Sequence, residues 1–233
     1  PAAPRRVTAS SAGRIGRPHG GPVAAFEWRD RVFRSAIRKR PVADRRHVGP
    51  LGVEGDAQGN RRVHGGLDKA LYGYGAEHHP FWEEVLGRAV VPGDFGENLT
   101  LSGLVEDDVC IGDRFRVGAA LLEVSEPRQP CSTFAAVHRR SDLPRIFADA
   151  GWSGIYFRVL EEGEIGPGDA VERVHRHPGG WTVRRVFDLV MGKSPLPEDL
   201  NDLLAVPALA ESTRAALVRR AGSMVDEGGS AGT

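Results

Sequence analysis

Arg128 and Cys131 stand three positions apart in Pro127-Arg128-Gln129-Pro130-Cys131. A permanent cation beside a soft nucleophile favours thiolate over thiol, and the thiolate binds a soft metal or attacks an electrophile. The plainer reading makes Cys131 a small buried hydrophobe. Two prolines hold this stretch extended and keep it from continuing a ladder or starting a helix. A second set of candidates is cationic: Arg38, Lys39, Arg40, Arg45, Arg46 and His47. Such a run is either a solvated face or one wall of an anion pocket. Glycine is dense between Gly49 and Gly75, which implies tight turns or close backbone approach to a ligand. Inside it lies His64-Gly65-Gly66-Leu67-Asp68-Lys69-Ala70, where Asp68 reads as a turn or helix-capping residue.

Other chemistries are absent. Met191-Gly192-Lys193-Ser194 ends like a phosphate-binding loop, but Phe187 stands where that motif needs its first glycine. No G-x-G-x-x-G follows a strand, and neither H-E-x-x-H nor G-x-S-x-G occurs. His78 and His79 are adjacent, so on a helix they point in different directions. The cysteines are Cys110 and Cys131 alone, too few for a disulfide scaffold, an iron–sulfur cluster or an all-cysteine zinc site. Cys110 precedes a turn and reads as structural.

The elements that must position these groups are mostly short strands. Trp28 to Ile37 suggests a strand pair, and Arg114 to Val117 with Ala120 to Val124 a hairpin turning at Gly118. Ile155 to Leu160 and Ala170 to His175 are two more, split by a Gly/Pro turn. Strands of this kind between glycine turns favour a closed or nearly closed β-barrel with short peripheral helices, a mainly β fold with some α. His78 to Arg88 and a segment capped by Ser141 read as helices. After Gly180 the pattern changes. Val183, Val186, Phe187 and Val190 follow helical spacing; Ser194-Pro195 and Pro207 open two further helices, the last ending near Arg220. Four regions result: a flexible 1–21, a barrel over 22–178, a three-helix unit over 179–222 and a disordered 223–233. The helical unit is too small for a core of its own and must pack on the barrel or on a second copy; the second arrangement would make a homodimer.

The chain has 233 residues and equal numbers of acidic and basic groups, 31 each. Bulk charge therefore gives it no grip on nucleic acid or an anionic membrane, and any anion site must be local. No apolar run approaches the roughly 20 residues of a membrane span. Pro1-Ala2-Ala3-Pro4-Arg5-Arg6 lacks the apolar core of a signal peptide, so the expected location is cytoplasmic.

Three segments in order, His64 to Ala70, Gly96-Glu97-Asn98-Leu99 and Pro127 to Cys131, together resemble the MOSC domain, named for the C-terminal part of molybdenum-cofactor sulfurases. Ser35 to Val42, Gly52 to Gln58 and Ile111-Gly112-Asp113 support the match, and the helical tail opened by Trp181 is similar to that of the YiiM-like branch. The resemblance runs from about Ala24 to Gly222. It implies a pyruvate-kinase-like β-barrel holding a pyranopterin molybdenum cofactor, with Cys131 giving a thiolate to the metal. Arg128, Lys39 and Lys69 would then meet the cofactor phosphate, with the Gly65-Gly66 backbone supplying N–H donors. Asn98 can donate to and accept from pterin edges. His64 either bonds cofactor or substrate or braces its loop. Leu71-Tyr72-Gly73-Tyr74-Gly75 carries more glycine than the family pattern, which bears on the pocket mouth and so on the substrate.

The implied activity is reduction of a small N-hydroxylated compound, such as 6-N-hydroxylaminopurine, to its amine. Electrons come from an external reductase, since the chain shows no flavin or iron–sulfur segment. Two other functions remain open: a sulfur carrier with a persulfide on Cys131, and a non-catalytic cofactor-binding module. Pyridoxal phosphate belongs to the desulfurase half of the sulfurases and is not expected.

Overall fold

Strand alternation closes this chain on itself. The computed structural model describes residues 10–57 and 65–229. Seven strands form a closed barrel: β1 (Ser10–Gly20), β7 (Leu71–Gly75), β8 (Leu99–Ser102), β9 (Arg114–Val117), β10 (Ala120–Pro127), β11 (Ile155–Glu161) and β13 (Ala170–His175). Their order is β13-β9-β10-β11-β7-β8-β1, and β1 pairs again with β13. Neighbours are antiparallel except β7 and β8. A parallel pair needs a long crossover, and the 76–98 connection provides it, carrying α1 (His79–Leu86).

Outside the barrel, β2 (Ala24–Trp28) and β3 (Arg31–Ser35) make a ribbon of their own. The short strand β4 (Arg40–Pro41) extends β1. A small sheet joins β5 (Arg46–Gly49), β6 (Gly52–Val53) and β12 (Gly163–Ile165). Two helices follow the Arg128–Cys131 stretch, α2 (Ser132–His138) and α3 (Leu143–Ala150). Three close the chain: α4 (Val183–Val190), α5 (Leu200–Leu204) and α6 (Glu211–Gly229).

Two apolar clusters hold this together. One fills the barrel with residues such as Leu71, Leu99, Phe115, Val124 and Phe157, and continues without a break into Trp181, Val186, Leu203 and Leu217 of the helical unit. The helices therefore pack on the barrel. The other is aromatic and lies outside the barrel wall, where Tyr74, Trp82, Phe95, Phe134 and Phe147 seat α1, α2 and α3.

Several expectations are corrected. The supposedly flexible 1–21 is strand β1 from Ser10 onward, so the barrel begins before residue 22. Glycine reads as loop, yet here it relieves crowding: a Cβ on Gly13 would lie 2.0 Å from the Ser102 carbonyl oxygen. Leu71–Gly75 is likewise a buried strand, and a Cβ on Gly73 would meet Leu101 at 2.6 Å. The ribbon starts at Ala24 rather than Trp28. Helix α6 starts at Glu211, not Pro207, and continues to Gly229, across most of the tail expected to be disordered. Helix α2 had no sequence expectation at all; with Pro130 just before it, the turn at Ser132 starts as soon as the proline constraint ends.

Candidate functional site

Strand β10 ends at Pro127 and delivers Arg128 and Cys131 to the outer wall of the barrel. Cys131, in extended conformation, is the residue on which α2 begins. Its Sγ lies 3.7 Å from Arg128 Nη2. The guanidinium is buried over Tyr72 at 4.8 Å and near Phe134 and Phe147, each at 5.8 Å. Its other amino group donates to the Phe95 carbonyl. Burial alone would pull Arg128 toward neutrality, but the Tyr72, Cys131 and Tyr156 side chains outweigh it and hold the charge firmly.

Cys131 is half-buried against the aromatic cluster. On its other side opens a cavity of about 550 Å³, counted with its solvent-open mouth. The enclosed part, the space open to the centre of a water-sized sphere, is about 70 Å³, so a large ligand would lie partly in the open mouth. Lys39, Lys69, Asn98 and Arg128 all line it, so five of the sequence candidates meet there. Gly65 and Gly66 do not line it. Gly66, at φ 92°, instead opens the 3-10 turn Leu67–Lys69, its carbonyl accepting from the Lys69 N–H at 3.2 Å. His64 lies outside the described residues.

Both lysines already face carboxylates. Lys39 pairs with Asp56, both side chains nearly buried; burial lowers the Lys39 pKa, and Asp56 partly restores it. Lys69 Nζ lies 3.2 Å from Glu126 Oε1 and 5.8 Å from the Tyr156 ring centre. Three cations and two carboxylates leave the cavity a modest positive excess, suited to an anion that shares donors rather than one held by bare charge.

Asn98 also serves the protein's own wall. Its Oδ1 accepts from the Tyr72 N–H at 3.1 Å, and its Nδ2 donates to the His19 carbonyl at 3.2 Å and to Asp56 Oδ2 at 2.8 Å. The amide thus joins β7, β1 and the Asp56 loop and fixes the wall, both of its N–H groups spent on protein and one lone pair of Oδ1 left over. Glu97 beside it is fully buried; burial raises its pKa, against N–H and O–H donors from Gly93, Phe95 and Thr100. Asp68 does cap a helix, though a remote one: its Oδ2 accepts from the Glu211 N–H at the start of α6, and its Oδ1 pairs with Arg158.

Asp56, Tyr72 and Tyr156 were not singled out by sequence. Tyr72 donates to the Ser153 carbonyl at 2.8 Å. Tyr156 is buried and its pKa is pushed up to about 12, so it stays neutral. Asp56 sits in the quoted Gly52–Gln58 match and Tyr72 three residues after Lys69; nearness to a motif was the only signal for either. Cys110 is free and buried in a bridge to Thr182, as expected of a structural residue, and burial raises its pKa. The basic run divides. Lys39 reaches the cavity, Arg45 and His47 pair with Asp169 and Glu162, and Arg38 and Arg40 remain exposed. No helix among the described residues is long and apolar enough to cross a membrane.

Comparison with known proteins agrees with this architecture. Residues 60–172 match the MOSC domain and residues 181–220 the YiiM-like 3-alpha helix domain. The uncharacterized protein YflK of Bacillus subtilis is 38% identical over 200 residues, covering 86% of this chain and 90% of that one. The crystal structure of YiiM from Geobacillus stearothermophilus superposes with a TM-score of 0.75 at 36% identity, over 89% of this chain and 98% of that one. A protein named Reductase from Gibberella moniliformis is 33% identical over 180 residues, covering 69% of this chain but 29% of its own length. With a closed seven-strand barrel, a helical appendage sharing its core, and YflK and the Geobacillus YiiM matched over nearly their full length, this chain belongs to the MOSC domain family, in its YiiM-like branch.

Proposed function

We propose that the Cys131 cavity holds a pyranopterin molybdenum cofactor and that the protein reduces small N-hydroxylated bases or amines to the parent amine. The observation that carries this reading is the placement of a lone thiol, beside a guanidinium, on the wall of an open cavity that Lys39 and Lys69 also line. MOSC domains are generally associated with this cofactor, and the fungal relative named Reductase points to redox chemistry.

The residues present suit the group. A single thiolate is the soft ligand molybdenum takes from protein when its other sulfurs come from the pterin. Arg128, wedged among aromatic rings, keeps positive charge next to the sulfur. Lys39 and Lys69 can turn part of their hydrogen bonding from Asp56 and Glu126 to a phosphate. His64, five positions before Lys69 in the sequence, is the remaining candidate contact.

When bound, the cofactor supplies the two-electron reduction; the protein supplies orientation and protons. The overall change is R–NHOH plus two electrons and two protons giving R–NH2 and water. Tyr156 is a neutral phenol that lines the cavity, and its hydroxyl, with no hydrogen bond to a described residue, is the group we assign to donate toward the departing hydroxyl. Electrons come from a separate reductase.

The test is metal and pterin content after expression in a host that builds the cofactor. Wild type should purify with molybdenum and pterin, and Cys131→Ser should lose molybdenum by at least about tenfold, the scale that even outer-layer ligand changes reach. Its circular dichroism should be unchanged. Equal molybdenum in the two proteins defeats the reading. Labile sulfur without molybdenum would instead favour a persulfide carrier.

A further inference from the structure

The β2–β3 ribbon pairs with no other strand of the described chain. Two strands alone are marginally stable in water, so other contacts must hold it. Phe26 stacks on Phe33 across the pair at 5.6 Å, and guanidinium groups cover the rings: Arg29 over Trp28 at 4.7 Å, Arg31 over Phe33 at 5.5 Å and Arg38 over Phe26 at 5.1 Å. Arg29 also donates to Ser141 Oγ at 3.2 Å, tying the tip toward α3. These arginines are thereby held in place before any partner arrives.

Their charge is unspent. Arg29, Arg31, Arg34, Arg38 and Arg40 are all exposed, and none makes an ion pair with a described residue. Other exposed arginines are paired, Arg45 with Asp169, Arg88 with Asp94, Arg116 with Glu161 and Arg140 with Asp142, and unpaired ones such as Arg17, Arg139 and Arg219 are scattered along the chain rather than gathered in one short stretch. Within this stretch only Glu27 and Asp30 oppose the five. A chain of zero net charge has gathered a positive patch in one place. The place is the rim of the cavity, because Ser35, Ala36 and Ile37 at the foot of the ribbon line its wall.

We propose that this arginine ribbon is the docking surface for an acidic electron-donor protein. The inference rests on the reductase reading, and it names where the electrons enter. Electron transfer falls off steeply with distance, so a donor must sit at the rim, and charge complementarity steers and orients such short-lived complexes. Fixed guanidinium groups lose little freedom on binding. Exposed Val32 adds a small apolar contact amid the arginines. A single-stranded nucleic acid fits less well. It needs aromatic faces free for stacking, whereas Phe26, Phe33 and Trp28 are covered by each other or by arginine. The donor gives up two electrons per substrate, as a flavodoxin does in two one-electron transfers.

The test uses the full chain, its Arg31→Glu/Arg34→Glu variant and three probes: flavodoxin, a two-iron ferredoxin and a fluorescent single-stranded oligonucleotide. Wild type should bind at least one of the acidic carriers at low salt, and the variant should bind it about tenfold more weakly or worse. Binding should also fade as ionic strength passes about 0.1 M, where the screening length is near 10 Å. In cofactor-loaded protein, turnover driven by reduced methyl viologen should be the same in both, while turnover driven by the bound carrier drops in the variant. No binding of either carrier by wild type, unchanged binding by the variant, or tighter binding of the oligonucleotide with loss in the variant each overturns the proposal. Wild type idle with viologen but binding the carrier through these arginines would overturn the reductase reading and leave the docking surface standing.

Discussion

At the scale of single residues, the cavity is a set of charges matched in pairs. Lys39 and Asp56 are the tightest of these, both nearly buried. Lys39→Ala would leave a carboxylate in the wall with the Gly21 N–H and the Asn98 amide as its remaining donors. Removing one partner of a buried pair costs about 3–5 kcal/mol, and the surviving donors put the expectation near 3. Urea unfolding monitored by tryptophan fluorescence would show it as a lower midpoint with an unchanged slope. Arg128 and Cys131 were legible in the sequence because their relation is local: three positions and two prolines suffice. The lysines were legible as cations, but their carboxylates were not, since Asp56 and Glu126 approach them only through the fold. Asn98 shows the same limit. Its type says that it donates and accepts, and only the coordinates say that β1, β7 and Asp56 have taken those bonds.

At the scale of elements, closure is the demanding step. Strand β1 must bond to β13 and β8 at once, and its register slips between Ser11 and Gly13 on one side and between Ile15 and Pro18 on the other. Gly13 sits at this tight seam, with the Ser102 backbone oxygen where a side chain would begin. Gly13→Ala should therefore destabilise by about 3 kcal/mol, the upper end for overpacking, because backbone cannot step aside as a flexible side chain would. Thermal melts would record the loss, and Gly168→Ala, with open space around its Cβ, serves as a strain-only comparison at φ 78°. Helix α4 and the β9–β10 hairpin were readable because their periods are regular and their turn residues conventional. Strands β1 and β7 were not, because glycine demanded by barrel crowding carries the same letters as glycine demanded by a turn.

At the scale of the molecule, barrel and helices share one interior. Trp181, Val186 and Leu217 belong to the same cluster as Phe115 and Leu122. Ending the chain after Pro178 should accordingly expose barrel core rather than release a self-sufficient domain. The expected result is a broad, weakly cooperative melt and binding of a hydrophobic dye, against a single sharp transition for the whole chain. A sharp melt of the shortened chain would show two separable units. The seam between the two parts has a further consequence. Glu126 gives one oxygen to Lys69 on the cavity wall and the other to Ser212 and Thr213 on the first turn of α6. Loosening that last helix, by a nick or by a competing surface, would free half of this carboxylate and let it swing toward the ammonium. Damage at the far end of the polypeptide would then be felt as a change of voltage inside the pocket.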